Sequence, residues 1–425
     1  MSSDARSSTE QRLEQQAAAR DAAVAADESD PIGFARDRFS LPDEVIYLDG
    51  NSLGAMPKAV PGAVSDALHR QWATDLITSW NTNDWWTLPG RIGDRIGELV
   101  GAAPGQLMCG DSTSIQLFQV LSAAAAMRPD RTVLITDGAS FPTDQYMADS
   151  VAAQRGLDVV RLDPADLGSR LDDRTAVVSF SHVDYRTGEL FDMAAITRQV
   201  HEAGAIMVWD LCHSAGALPI ALDAAQADFA VGCTYKYLNG GPGSPAYIYI
   251  ASRHLDAAQL PLTGWHGHRE PFALEQRYVP APSVDRARIG TPPVLSMLAC
   301  QAALSCFDGV SLEDIRQKSL AITDHVIAYA DSELAGFGVE VVTPREHGQR
   351  GSQVSLRMPP AYEVCQALIA RGVIGDFRAP DLLRLGFTPL YLRYVDVHDA
   401  LQTLRDVLAN ESYREPAYAQ RAAVT

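Results

Sequence analysis

Ala205-Ile206-Met207-Val208-Trp209-Asp210 opens the most informative stretch of this chain, and Tyr235-Lys236-Tyr237 closes it. The first five residues are a short apolar run with β-branched members, the pattern of a buried strand. The run stops on a charge, Asp210, and His213 follows three residues later. A second run of the same kind, residues 227–234, delivers Lys236. A turn-rich loop, Gly240-Gly241-Pro242-Gly243-Ser244-Pro245, comes next.

Apolar surroundings disfavour a lysine's charged form and make its amine a better nucleophile toward carbonyls. An aspartate can keep a ring nitrogen protonated. A Schiff-base lysine and such an aspartate are a protein's minimum contribution to pyridoxal phosphate chemistry. The pattern alone equally allows a turn-capping Asp210 and a solvated Lys236.

The 425 residues are enough for a large core and two lobes. A net charge of −18 argues against a nucleic-acid partner, which needs a basic surface. No apolar run approaches the roughly 20 residues that span a bilayer. The first 30 residues carry charges throughout, so they are expected to be a flexible segment, a frayed helix or disorder with little function, and not a signal peptide. The six cysteines contain no Cys-x-x-Cys pair and read as reduced core residues of a cytoplasmic protein.

Trp209-Asp210-Leu211-Cys212-His213-Ser214-Ala215-Gly216, taken with Cys233-Thr234-Tyr235-Lys236-Tyr237-Leu238-Asn239-Gly240-Gly241-Pro242-Gly243, resembles the kynureninases. The resemblance runs from about residue 31 to about residue 410. It implies an aspartate-aminotransferase-like α/β fold (fold type I), with a mainly parallel central sheet flanked by helices and a smaller α/β C-terminal lobe. The implied division is a flexible segment 1–30, a segment 31–75 joining the small lobe, a large cofactor-binding domain 76–310 and a small domain 311–425. The implied activity is the pyridoxal 5'-phosphate-dependent hydrolysis of L-kynurenine, with 3-hydroxykynurenine as a second substrate. The products are anthranilate (or 3-hydroxyanthranilate) and L-alanine, in tryptophan catabolism and NAD biosynthesis. The implied assembly is a homodimer with shared active sites.

Other stretches acquire roles in this light. Ser114 and Thr113 open a helical run, residues 115–127, and a helix start offers free N–H groups and a positive dipole end to a phosphate. Ordinary capping would use the same residues. The resemblance assigns the cofactor phosphate to Thr113 and Ser114, ring stacking to Phe141, the ring's polar edge to Asp144 and a further contact to Ser181. It makes Lys236, Tyr235 and Asp210 the catalytic set, with Tyr235 a proton carrier or a phosphate ligand. His213 is expected to orient Asp210 or the ring edge. Trp265 and Thr291 are expected to reach the phosphate from the second subunit.

Arg384 lies inside an apolar strand, residues 382–385, where an unpaired charge is costly. A structural ion pair explains it, and so does a fork that grips a substrate carboxylate; the resemblance favours the fork. Asn51 and Ser52 are expected near that carboxylate, and Trp80 against the substrate ring. His266-x-His268 lacks a third ligand, so no metal is expected. His182 is read as a satisfied polar neighbour. A cysteine desulfurase-like enzyme and a non-catalytic cofactor-binding protein are the alternatives. The first needs a mobile C-terminal cysteine, yet Cys365 sits in a helical pattern. The second would lack Lys236 or Arg384.

Overall fold

The computed structural model describes residues 3–421. Its large sheet has seven strands: β1 (Leu107–Cys109), β2 (Val133–Asp137), β3 (Asp158–Leu162), β4 (Thr175–Ser181), β5 (Ile206–Asp210), β6 (Phe229–Cys233) and β7 (Ala246–Ile250). They lie in the order β1-β7-β6-β5-β4-β2-β3. Strands β2 to β6 pair in parallel, while β7 is antiparallel to both β6 and β1. The reversal has a local cause. The link from β6 to β7 contains turns and no helix, so nothing carries a parallel crossover.

The apolar runs are continuous because both faces of the sheet are covered. Along β5, Ile206 and Val208 enter the core on one side, while Met207 and Trp209 enter it on the other. Helices α2 (Thr113–Ala126) and α3 (Pro142–Arg155) supply Leu117, Val120 and Val151 to the first side. Helix α4 (Met193–Glu202) lies on the second, where Thr197 Oγ1 accepts a hydrogen bond from Trp209 Nε1 at 3.0 Å.

The small lobe is built on an antiparallel sheet of β8 (Glu340–Val341), β9 (Gln353–Arg357), β10 (Asp376–Arg378) and β11 (Leu382–Gly386), in the order β8-β9-β11-β10. Residues Ile46–Tyr47 pair in parallel with Val373–Ile374, which ties the N-terminal stretch to this lobe.

Residues 1 and 2 of the expected flexible segment lie outside the described residues. The rest is helical, and the helix is docked: α1 (Ser3–Glu28) packs on helix α6 (Tyr394–Ala409). Asp27 accepts hydrogen bonds from the N–H groups of Tyr394 (2.6 Å) and Val395 (3.1 Å), capping α6 from outside. Asp30 pairs at 2.6 Å with the buried Lys318 of helix α5 (Leu312–Tyr329). The charges that argued for a solvated segment are thus partly used as caps and ion pairs.

Gly54 brings the N-terminal stretch against the Lys236 turn. Its N–H donates to the Tyr235 carbonyl at 2.7 Å. A Cβ there would lie 2.4 Å from the Lys236 carbonyl oxygen and 2.7 Å from Asn239 Cα. Both are backbone atoms and cannot swing aside. Gly54→Ala is therefore expected to destabilise the protein by about 1–3 kcal/mol, the usual cost of overpacking. A denaturant midpoint unchanged by the substitution would contradict this packing.

Candidate active site

Strands β4, β5 and β6 end side by side, and their carboxyl ends open into one cavity of about 260 Å³. Such ends are where open α/β sheets place their ligands. Ser181 and Asp210 are register partners across β4 and β5. Lys236 stands in the turn after β6, held by a hydrogen bond from Asn239 N to its carbonyl (2.8 Å).

The chain has three lysines, Lys58, Lys236 and Lys318. Lys58 is exposed and Lys318 is committed to Asp30 and the Pro389 carbonyl, so Lys236 is the lysine of this cavity. Its Nζ donates to His213 Nε2 at 2.8 Å. Burial, and then the charge of Lys236, push the His213 pKa well below its ordinary value. The imidazole is therefore neutral and accepts this bond. The Cys212 N–H donates to Asp210 Oδ1 at 2.7 Å.

Asp144 is buried, with hydrogen bonds from Ser140 Oγ (2.9 Å) and Ser181 Oγ (3.4 Å). Burial drives its pKa well up, and the charge of Asp210 adds to the effect. Phe141 forms a wall of the cavity, with Lys236 Nζ 6.0 Å from its ring centroid and Tyr185 edge-on to it at 5.3 Å. Thr113 and Ser114 line the cavity at the first turn of α2. Capping is done by Ser112, whose Oγ accepts from Ile115 N at 3.4 Å, so it does not occupy the two hydroxyls.

At another side of the cavity Arg384 is buried and paired with Asp376. Its Nε donates to Asp376 Oδ1 (2.9 Å), and its Nη2 donates to Asp376 Oδ2 and to Ser52 Oγ (2.8 Å). Its Nη1 donates to the Tyr185 carbonyl (2.6 Å). The ion pair and the place in the cavity therefore coexist. Asn51 is also buried here, its side-chain amide 3.2 Å from that of Gln353.

These residues fit pyridoxal phosphate. The cavity holds two buried aspartates, Asp210 and Asp144, toward the place of a ring nitrogen, one amine for the carbonyl carbon, an aromatic wall and a helix start for the phosphate. His213 Nδ1 is buried without a hydrogen-bond partner among the described residues, a polar atom left over beside Lys236.

A family model described as the kynureninase C-terminal domain matches residues 315–404. The kynureninase of Burkholderia pseudomallei K96243 is 51% identical over 413 residues, covering 96% of this chain and 99% of that protein. That of Pseudomonas fluorescens is 44% identical over 409 residues, covering 95% and 98%. The chain belongs to the kynureninase family. Among solved structures, an apo cysteine desulfurase from Thermococcus onnurineus NA1 matches with a TM-score of 0.75 at 18% identity, over 89% of this chain and 98% of that one. A lysine-to-alanine variant of C-DES with glycine covalently linked to its PLP cofactor gives 0.77 at 15%, over 87% and 99%. These share the fold, the aspartate-aminotransferase-like one that the resemblance implied.

Three residues singled out for this family do not line the cavity of their own chain. Trp80 is instead packed among Trp85 (5.8 Å between ring centroids), Trp86 (6.3 Å) and His266 (5.9 Å). Trp265 is 44% exposed and touches Trp86 (6.0 Å) and His266 (4.1 Å). Thr291 is exposed on a separate recess beside Pro292. His182 also differs from expectation. It packs edge-on to Trp209 at 5.8 Å, and its Nδ1 lacks a hydrogen-bond partner among the described residues. Burial pushes its pKa down to about 4, with Arg316 adding to the shift, so it packs as a neutral ring.

Sequence reasoning missed Tyr185, Cys212, Asp376 and Arg378. A signal existed for the last two. Asp376-Phe377-Arg378 alternates charge and ring, and it faces Arg384 across a tight hairpin in which Asp376 and Arg384 are register partners.

The raised pKa of Asp144 has a measurable consequence. A carboxyl that titrates higher folded than unfolded adds stability below the ordinary carboxylate range, and that contribution is lost as pH rises through its raised value. Cofactor-free Asp144→Asn is therefore expected to be more stable than the parent at neutral pH. The difference should close toward about pH 4, the unfolded value. Denaturant melts at both pH values check this; a difference independent of pH would contradict it.

Proposed function

We propose that this protein hydrolyses L-kynurenine, with 3-hydroxykynurenine as a second substrate, to anthranilate or 3-hydroxyanthranilate and L-alanine, using pyridoxal 5'-phosphate. The observation that carries this reading is the near full-length likeness to kynureninases, joined to a cavity that gathers the matching lysine, carboxylates and arginine. Asp210 would hold the ring nitrogen, Phe141 the ring face, Thr113 and Ser114 the phosphate, and Lys236 the reactive carbon. Bound there, the cofactor supplies an electron sink next to the substrate's α-carbon.

The chain's own groups do the rest. Lys236 takes the proton from the substrate's α-carbon, and neutral His213 accepts a hydrogen bond from its amine. Arg384 binds the α-carboxylate. Burial, then the thiols of Cys233 and Cys212, raise the Tyr235 pKa, so its phenol stays protonated and can donate. Water adds to the γ-carbonyl, the Cβ–Cγ bond breaks and anthranilate leaves; a proton delivered to Cβ and the return of a proton to Cα by Lys236 complete alanine. Tyr235 is assigned the delivery to Cβ.

The site is completed across a homodimer, with Trp265 of the partner subunit and Thr291 of the partner subunit reaching the phosphate. The exposure of both residues on one chain supports this arrangement. The enzyme works in the cytoplasm, in keeping with six free cysteines. No single helix among the described residues is long and apolar enough to cross a membrane.

A desulfurase reading is disfavoured by Cys365. It is buried inside the helix Ala361–Ile369, with Sγ 3.6 Å from the Gly375 carbonyl, and is not a mobile nucleophile. Incubation with L-kynurenine is expected to release anthranilate and L-alanine in equal amounts, followed by anthranilate fluorescence and chromatography. Sulfur release from L-cysteine without anthranilate from kynurenine would overturn the assignment.

A further inference from the structure

A bidentate grip on a carboxylate needs two free N–H groups on one side of a guanidinium. Arg384 does not have them. Of its five hydrogens, Nε directs one to Asp376 Oδ1, and Nη2 directs two to Asp376 Oδ2 and Ser52 Oγ. Nη1 directs one to the Tyr185 carbonyl, which leaves a single hydrogen. The pairing with Asp376 is buried on both sides, at 1% and 2% side-chain exposure, so exchanging it for a substrate would strand a buried carboxylate.

Arg378 supplies what Arg384 lacks. It stands two residues from Asp376 on β10, hence on the same face of that strand, and it lines the same cavity. Its Nη2 donates to Asp376 Oδ2 at 2.6 Å and reaches Ser52 Oγ at 3.4 Å. Its Nε is buried and without a hydrogen-bond partner among the described residues. Its side chain is one-third exposed, which keeps it accessible to a ligand entering from solvent. Asp376 therefore binds both guanidinium groups and holds them side by side.

We propose that the α-carboxylate of the bound amino acid is shared between Arg384 Nη1 and the guanidinium of Arg378, so that Arg378 is a second substrate-binding residue. The identity of the amino acid rests on the kynurenine reading. The geometry itself asks only for an α-carboxylate.

The test uses the cofactor-loaded enzyme and its Arg378→Gln variant. KM and kcat are measured with L-kynurenine, and L-alanine binding is read from the change in cofactor absorbance. Loss of hydrogen bonds to a charged partner predicts a rise of about tenfold or more in KM and in the alanine Kd, with kcat falling by less. Arg378→Lys keeps the charge without the fork and should recover part of the loss; it also carries the test if the glutamine variant does not fold. An unchanged KM and alanine affinity in either folded variant would overturn the proposal. If the parent enzyme releases no anthranilate, the kynurenine reading fails, while the alanine arm still decides the role of Arg378.

Discussion

Lys236→Ala is expected to lower kcat/KM for L-kynurenine by about 10⁴-fold or more, the upper range for removal of one acid–base group. The lysine carries two duties in this account, holding the cofactor and moving the α-proton, and no neighbour can take over either. His213 is the nearest base, but burial and positive neighbours hold its pKa far down, so it protonates too reluctantly to substitute. The other two lysines lie elsewhere. The fold should survive the change, because Nζ makes its hydrogen bond to a single partner, His213. A thermal midpoint close to that of the parent, together with lost turnover, is the expected pair of results. Retained turnover would remove Lys236 from the mechanism.

Asp376→Ala should have the largest effect on stability. It leaves Arg384, 1% exposed, without its carboxylate partner, and breaking a buried pair in this way costs about 3–5 kcal/mol. Arg378 loses the same partner but is less buried, so it adds little. The substitution should also raise KM for kynurenine, since both guanidinium groups lose the group that orients them. Denaturant unfolding and steady-state kinetics check the two parts. An isosteric Asp376→Asn should restore the shape and one acceptor, recovering part of the stability. A stability unchanged by Asp376→Ala would mean that Asp49, the other acid near these arginines, already balances them. Burial, and then the charge of Asp376, push the Asp49 pKa up to about 6; removing Asp376 takes away the second cause, so Asp49 ionises more readily in the variant and can offset part of the loss.

The sequence was most legible where backbone and chemistry coincide. Asp210 and Lys236 could be placed at strand ends because runs such as Ile206–Asp210 are apolar on both faces and stop at a charge. Thr113 and Ser114 were legible for a similar reason, since a helix start exposes its N–H groups whatever surrounds it. Contacts between distant segments were not legible. Nothing in residues 376–384 shows that Asp376 and Ser52, 324 positions apart, hydrogen-bond to each other. The partner of His213 depends on where the Lys236 side chain points, which spacing does not specify. Helix α1 looked solvated because its docking rests on a few specific caps and pairs, such as Asp27 on the start of α6, and not on a broad apolar stripe. Trp265 and Thr291 were recognisable only by resemblance, and Trp80, expected against the substrate ring, packs among Trp85, Trp86 and His266 instead.

Lys236 is the proposed point of attachment for pyridoxal phosphate, and every proposed step depends on it. The most direct measurement is borohydride reduction of the cofactor-loaded protein, followed by peptide mass mapping. The pyridoxyl mass is expected on the peptide carrying Lys236 and on no other. Label on Lys58 or Lys318 with Lys236 unmodified, or no label on a protein that still binds the cofactor, would contradict it.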